Sequence, residues 1–175
     1  VFFSDLLRLA LLKAYGGVWV DATVLFTGPI PAHLSEIDFF VFERITKTKD
    51  KARWQRLNGD YFSWKEEHRI KFLSSIMFAR KENGTINNLL QLMLFFWKTQ
   101  EHIPHYFFFQ ILFDELKKEG LIEEFETVDD TFPHLLFSEL KTPFDKDKLD
   151  HILAQCSQHK LTYVQDCLPG SFYAY

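Results

Sequence analysis

The sequence predicts an α/β domain, in which helices pack on a central sheet. Two observations support this fold class. Several segments carry apolar residues at helical spacing, and short apolar runs that are typical of strands lie between them. A chain of 175 residues is long enough for one domain with a hydrophobic core. We find no internal repeat, low-complexity tract or linker, so the prediction is a single domain over residues 1–175.

Helical and extended segments alternate along the chain. We expect helices at residues 4–15, 85–98, 106–118 and 149–155, and strands or extended segments at residues 18–20, 23–26, 39–42, 72–79 and 161–164. Residues 43–71 are expected to be irregular or short-helical. The section between Pro133 and Pro143 is expected to be rich in loops.

The first helix has clear start and stop signals. Ser4 is a good N-cap, and Asp5 in the first turn complements the helix dipole. Gly16 and Gly17 end the helix, because glycine accepts the left-handed conformation that closes it. Apolar residues occur on nearly every side, so we expect the helix to be buried.

Composition excludes some classes of protein. The chain has 20 Phe, 6 Tyr and 4 Trp, most of which should form the core, although one or two rings could stack on a carbohydrate. A net charge of −4 without a clustered basic face predicts no nucleic-acid partner. Cys156 and Cys167 predict two reduced thiols in a cytoplasmic protein. No apolar run approaches the roughly 18 residues that span a bilayer, and the first residues are not expected to form a signal peptide, because Ser4, Asp5 and Arg8 interrupt the apolar run.

Three charged side chains are candidates for a common site. Asp5 and Arg8 lie one turn apart on one side of the first helix, and Asp21 follows the next strand. Open α/β sheets bind ligands at the carboxyl ends of their strands. The spacing alone leaves two interpretations open: a shared polar site, or a surface ion pair at the helix start with Asp21 as an unrelated turn residue.

The segment SDLLRLALLKAYGGVWVDAT, residues 4–23, resembles a signature of glycosyltransferases with a DXD-type sugar-binding motif. These include the catalytic domains of large clostridial toxins and the yeast initiating mannosyltransferases. The form VWVDAT most resembles the bacterial capsular polysaccharide synthesis proteins. The resemblance implies a GT-A-like (Rossmann-like) nucleotide-sugar-binding domain. Because the chain opens directly into the first helix, we expect it to be a segment that lacks its N-terminal portion.

The resemblance also implies roles for individual residues. Asp5 and Arg8 match the positions that bind the hydroxyls of the donor sugar, for which a carboxylate and a guanidinium are suitable. Trp19 matches the aromatic position that lies against the nucleotide base. Asp21 matches the first acid of the motif, which contacts the ribose and a divalent metal, Mn²⁺ or Mg²⁺.

The chain departs from the motif at Thr23, where the family's usual second Asp would bind the metal. A hydroxyl is a much poorer ligand for Mg²⁺ or Mn²⁺ than a carboxylate. Three alternatives stay open: a later ligand such as His159 or Asp166 completes the site, the metal binds weakly, or a cation of the protein replaces it. His102 and His105 have no third ligand nearby in sequence and do not predict zinc.

The predicted function is the transfer of a hexose from a nucleotide sugar, with UDP as the expected nucleotide, to the glycan acceptor of a surface polysaccharide. The resemblance implies retention of the anomeric configuration, and no residue can be named as catalytic. We expect a cytoplasmic enzyme that could contact the inner face of the membrane. The alternative is an inactive nucleotide- or carbohydrate-binding module of the same fold, which Thr23 would favour.

Overall fold

The computed structural model describes residues 2–123, 125–162 and 168–174 of the chain. The helices are α1 (Phe2–Tyr15), α2 (Lys51–Leu57), α3 (Gly84–Thr99), α4 (Phe108–Lys118), α5 (Leu135–Glu139) and α6 (Lys146–Gln155). The strands are β1 (Gly17–Val20), β2 (Val24–Phe26), β3 (Phe39–Glu43), β4 (Phe72–Ala79), β5 (Glu126–Asp129) and β6 (Gln158–Lys160). The predicted α/β class is confirmed.

The main sheet is mixed and has the strand order β1-β4-β3-β5. Strand β4 runs antiparallel to both of its neighbours, β1 and β3, whereas β5 runs parallel to β3. Strands β1, β3 and β5 therefore all point in one direction. Their carboxyl ends lie at the same edge of the sheet, which is where side chains from distant parts of the sequence can meet.

A bulge in β4 modifies this edge. Val41 pairs with Met77, but the next residue of β3, Phe42, pairs with Leu73, so Ser74, Ser75 and Ile76 of β4 have no partner on β3. Bulges bend a strand and change the direction of its side chains, and they are frequent beside functional sites.

A second, two-stranded sheet joins the beginning of the chain to its end. Strands β2 and β6 pair antiparallel, with Val24 opposite Lys160 and Phe26 opposite Gln158. The amide of Leu161 also donates to the carbonyl of Thr23 at 2.9 Å. This pairing places residue 160 beside the segment that follows β1.

The hydrophobic core has one cluster on each face of the main sheet. Along β3, Phe39 and Val41 pack with α1, α3 and α4 on one face, while Phe40 and Phe42 pack with Trp54 of α2 on the other. This alternation is the expected period of a strand that is buried on both faces.

Several predicted boundaries differ from the structure. Strand β5 was not predicted, and the section expected to be loop-rich contains α5. The last predicted strand, residues 161–164, is wrong in register: β6 occupies residues 158–160, and residues 163–164 lie outside the described part. Helix α6 begins three residues earlier than expected. The Asp145 side chain accepts a hydrogen bond from the Lys148 amide at 3.1 Å and so caps the N-terminus of this helix.

Helix α1 is not buried on all sides, which corrects the sequence-based expectation. Leu9 and Leu12 are fully buried against α3 and the sheet. The opposite face of the helix is exposed, with Phe3 at 73% and Leu7 at 38% relative exposure. Apolar composition on every side predicted burial, but the described elements pack against only one side of this helix.

Two further observations concern the cysteines and possible membrane spans. Cys156 is a buried free thiol, and Cys167 lies outside the described residues. Within the described ranges, no helix combines the length and the hydrophobicity that a bilayer-spanning helix requires.

The turn between α1 and β1 can be tested at its two glycines, which both have positive φ (+69° and +95°). A Cβ on Gly16 would lie 2.6 Å from the backbone nitrogen of Lys81, whereas a Cβ on Gly17 would have nothing within 4 Å. We expect Gly17→Ala to lower the free energy of unfolding by about 1 kcal/mol through backbone strain. Gly16→Ala should lower it by more than about 2 kcal/mol, since a backbone clash is added.

Urea denaturation of the two variants measures the difference. Equal stabilities would show that the close approach of residues 16 and 81 is not maintained in solution.

Candidate functional site

Arg8 connects the helix and the strand end that the sequence analysis singled out. Its guanidinium donates to Oδ1 of Asp5 at 2.7 Å from one terminal nitrogen and to Oδ1 of Asp21 at 3.1 Å from the other. The Arg8 side chain is 3% exposed, and those of Asp5 and Asp21 are 12% and 30% exposed. The predicted convergence of these three residues is confirmed, and the interpretation as an unconnected surface pair and turn residue is wrong.

Aromatic rings hold the Arg8 guanidinium in place. Its central carbon lies 5.2 Å from the centroid of the Trp19 ring and 5.5 Å from that of Phe109 on α4. Such cation–π contacts stabilise a desolvated guanidinium. The indole nitrogen of Trp19 donates to Oδ1 of Asp21 at 2.8 Å, so the ring also fixes the acid.

The three charged residues line a polar cavity of about 290 Å³. Its walls come from α1, the end of β1, the bulge of β4, the start of α4 and the residues around β6. The polar lining residues are Ser4, Asp5, Arg8, Asp21, Asn58, Ser74, Ser75, Gln110, His134, Lys160 and Thr162. The aromatic lining residues are Tyr61, Phe62, Tyr106, Phe107 and Phe137. Hydrogen-bonding groups and flat rings together are suited to a polyhydroxylated ligand.

Another cavity, of about 310 Å³, lies by β2 and α6 and is lined mainly by apolar side chains. No carboxylate, guanidinium or ammonium group lines it among the described residues. We therefore assign the candidate site to the polar cavity.

A buried network of charged and aromatic side chains supports part of the wall of the polar cavity. Asp130, which follows β5, accepts at Oδ2 from Arg44 at 2.6 Å and from the Tyr61 hydroxyl at 3.0 Å. Nδ1 of His134 lies 2.7 Å from the Asp130 carbonyl oxygen. A carbonyl only accepts, so Nδ1 carries the proton and the neutral ring keeps its lone pair on Nε2. Tyr61 and His134 from this network line the cavity.

The pKa values of the two acids of the site are shifted in opposite directions. Burial raises the pKa of Asp5 above its ordinary value, although the Arg8 guanidinium opposes the shift. Burial acts in the same sense on Asp21, but Arg8 and hydrogen bonds from Trp19 and Ser75 outweigh it and hold the pKa of Asp21 below its ordinary value. Asp21 is therefore the carboxylate of this pair that ionises more readily.

Lys160 is a cation of the site that the sequence analysis did not identify. Its ammonium donates to the hydroxyl of Thr23 and lines the cavity together with Asp21. Burial lowers the pKa of Lys160 from its ordinary value, and the Asp21 carboxylate acts against this shift. The pairing of β2 with β6, which joins the two ends of the sequence, carries Lys160 to this position.

The structure does not bring every predicted residue to the cavity. Trp19 packs beneath Arg8 and is not among the lining residues, so the described geometry does not present its ring to a base in this cavity. The ring of His159 is fully buried, with Nε2 bonded to Thr27 at 2.9 Å, and it does not join Asp21. Neighbouring residues of a strand point to opposite faces, which is why Lys160 reaches the cavity and His159 does not.

The other residues that were considered as metal ligands do not complete a site among the described residues. His102 and His105 are exposed and do not line the cavity. Asp166 lies outside the described residues. Within residues 2–123, 125–162 and 168–174, no group of three His, Cys, Asp or Glu side chains is placed to hold a metal ion.

Sequence reasoning missed Tyr61, Gln110 and His134 as well as Lys160. Gln110 donates to Ser74 at 3.0 Å across the cavity wall. The only available signal was positional and weak, since Asp130 follows the mostly polar residues 126–129 and Arg44 lies one residue beyond the apolar run of residues 39–42. Because β5 was not predicted, nothing in the sequence indicated that Asp130 follows a strand.

The fold and the site together define an α/β protein with a polar ligand cavity at the carboxyl ends of its strands. The chain belongs to the family of capsular polysaccharide synthesis proteins, whose family model matches residues 1–175. The family resemblance predicted from residues 4–23 is thereby confirmed, and the family description indicates a role in capsular polysaccharide synthesis. No curated protein and no solved structure matches the chain at a significant level, so the GT-A assignment and the DXD-type role of the motif stay predictions.

The buried His134 makes stability depend on pH in a specific direction. Burial, with a smaller contribution from Arg44, lowers its pKa from 6.5 to about 4. Between these values the unfolded chain binds a proton on this ring and the folded chain does not, so acid favours unfolding. The stability advantage of the wild type over His134→Gln should therefore shrink by on the order of 3 kcal/mol between pH 7 and pH 4.

Urea denaturation of both proteins at several pH values gives this difference directly, because other titrating groups contribute equally to both curves. A difference that stays constant across this range would show that the ring is not held neutral by the fold.

Proposed function

We propose that this chain is a glycosyltransferase that transfers a hexose from a nucleotide sugar, with UDP as the expected nucleotide, to a polysaccharide acceptor. The observation that carries the proposal is the Arg8 guanidinium, shared between Asp5 and Asp21 in the wall of a polar cavity. Membership of the capsular polysaccharide synthesis family supports it, because such synthesis requires the joining of sugar units.

The cavity has the chemistry that a sugar requires. Its volume of about 290 Å³ lies at the lower end of the usual range for small-molecule sites, about 300–1,000 Å³. Asp5 can accept hydrogen bonds from two neighbouring hydroxyls, and the Ser74, Ser75 and Gln110 side chains offer further donors and acceptors. Phe107 and Tyr106 supply flat surfaces for the apolar face of a sugar ring.

The polar groups are oriented before any ligand binds. Arg8 holds both acids at hydrogen-bonding distance and itself contacts two aromatic rings. Groups that are fixed in advance lose little entropy when they bind a substrate. A rigid carboxylate pair on one cation is therefore well suited to select a particular arrangement of hydroxyls.

In the proposed reaction the bond between C1 of the sugar and the terminal phosphate oxygen breaks. A bond forms from C1 to the acceptor oxygen, and the acceptor hydroxyl loses its proton. The products are the extended glycan, a nucleoside diphosphate and one proton. Electrostatic stabilisation of the departing diphosphate is expected to be the largest catalytic contribution. The resemblance implies retention at C1, and no residue is assigned as nucleophile or base.

Asp21→Asn tests the proposal, because it removes the charge and keeps the size of the side chain. Arg8 retains Asp5 as a partner, so the fold should survive. We expect UDP and UDP-hexose affinity to fall by about tenfold or more, the effect of losing a hydrogen bond to a charged group. Hydrolysis or transfer of the UDP-hexose should fall at least as much. The matched control is Asp150→Asn, on the exposed face of α6.

Isothermal titration measures binding, and release of UDP measures turnover. Unchanged affinity and turnover in a folded Asp21→Asn protein would contradict the proposal. Tight binding of the sugar nucleotide with no turnover, in the presence of acceptor glycan, would instead identify the alternative of an inactive binding module.

A further inference from the structure

The described residues do not fit the divalent metal that the sequence motif implies. The single motif acid, Asp21, already accepts at Oδ1 from Arg8 and from Trp19, and the Ser75 side chain bonds the same carboxylate. At the second motif position the Thr23 hydroxyl bonds the Lys160 ammonium. A divalent cation bound between these positions would lie next to two positive side chains and would find one carboxylate with most of its lone pairs in use.

Lys160 is well placed to bind an anion. It is half-buried and lines the cavity, and in the described part of the chain its Nζ forms no ion pair with a carboxylate. The Thr23 hydroxyl is the hydrogen-bond partner that the structure shows for an ammonium with three N–H donors. Asp21 is near enough to influence its titration but binds Arg8 instead. Donor capacity therefore remains on Lys160 towards the cavity.

We infer that the Lys160 ammonium, positioned by Thr23, binds the diphosphate of the donor in the place where relatives with a second acid would hold a metal ion. The inference rests on the proposed function. It makes the threonine of the motif a positioning residue: its hydroxyl orients the ammonium. A carboxylate at position 23 would instead form an ion pair with Lys160 and consume its charge.

Such a cation can do part of the work of a metal. Lysine is a common phosphate-binding residue and acts as a point charge. In a partly desolvated cavity, a fixed positive charge stabilises the negative charge that develops on the departing diphosphate. The other charges of the site agree with this role. Arg8 is paired with the two acids, whereas Lys160 is not and can bind the diphosphate.

The first experiment uses the wild-type chain and needs no variant. UDP and inorganic pyrophosphate are titrated into the protein in EDTA and again in excess Mn²⁺. We expect both probes to bind in EDTA, with affinities that change by less than about threefold when Mn²⁺ is added. The pyrophosphate probe reports the phosphate site independently of the base.

The second experiment compares Lys160→Met with Lys146→Met. Lys146 lies on the exposed surface of α6, with a side chain that is 74% exposed, and serves as the matched control. Lys160→Met should lower the affinity for UDP and for pyrophosphate by about tenfold or more, as expected for a lost hydrogen bond to a charged group. Uridine binding should be unchanged, and the control should leave all three affinities unchanged. Thermal unfolding confirms that each variant is folded.

A third protein, the double variant Thr23→Asp/Lys160→Ala, restores the second acid and removes the cation. We expect it to bind UDP in Mn²⁺ at least tenfold more tightly than in EDTA, which reverses the behaviour of the wild type.

The outcomes separate this inference from the proposed function. Wild-type binding of UDP that requires Mn²⁺ would overturn the inference and leave the proposed function standing. Metal-independent binding that Lys160→Met does not weaken would also overturn it. The absence of UDP and pyrophosphate binding under both conditions would overturn both proposals.

Discussion

The shared Arg8 guanidinium is the interaction on which the site depends. It is a buried cation with one acid on its own helix, Asp5, and another at the end of the adjacent strand, Asp21. Removing one partner of a buried charge network typically costs about 3–5 kcal/mol, because the remaining charges lose their compensation. The network therefore fixes how α1 returns into β1. The network also limits which residue can replace Arg8. A lysine could not bind both acids, because its ammonium lacks the planar group with several fixed donors that a guanidinium has.

The direction of the strands explains why the charged groups lie where they do. Because β1, β3 and β5 point the same way, the residues that follow them, Asp21, Arg44 and Asp130, lie along one edge of the sheet. The two acids have different environments. Asp21 borders the cavity and ionises readily, whereas Asp130 is fully buried, and burial raises its pKa to about 7 despite the opposing effect of Arg44. Asp21 is therefore suited to bind a ligand, and Asp130 to stabilise the wall of the cavity.

The sequence predicted the local parts of this structure better than the distant ones. The helix signals, the glycine turn and the strand before Asp21 lie within about twenty neighbouring residues. This spacing allowed Asp5, Arg8 and Asp21 to converge, and the family resemblance favoured a shared site, which the structure contains. Lys160 could not be found in this way, since its position results from the pairing of β2 with a three-residue strand. His159 was an incorrect metal candidate for a related reason. The sequence did not show which side chains of that strand face the cavity, and those of neighbouring residues point to opposite faces. Strand β5 was missed because its four residues, Glu126–Asp129, are mostly polar.

The pairing of Thr23 with Lys160 spans 137 positions of the chain. Contacts between such distant residues form slowly, because a long loop must close before they contribute any stabilising energy. During synthesis the segment with Asp5, Arg8 and Asp21 leaves the ribosome before the segment with Lys160, and folding can proceed from the N-terminal side. The helix and the first strand can thus be present well before the last wall of the cavity exists. A nascent chain would then display the acidic half of the pocket without its lysine until nearly all of these residues have been translated.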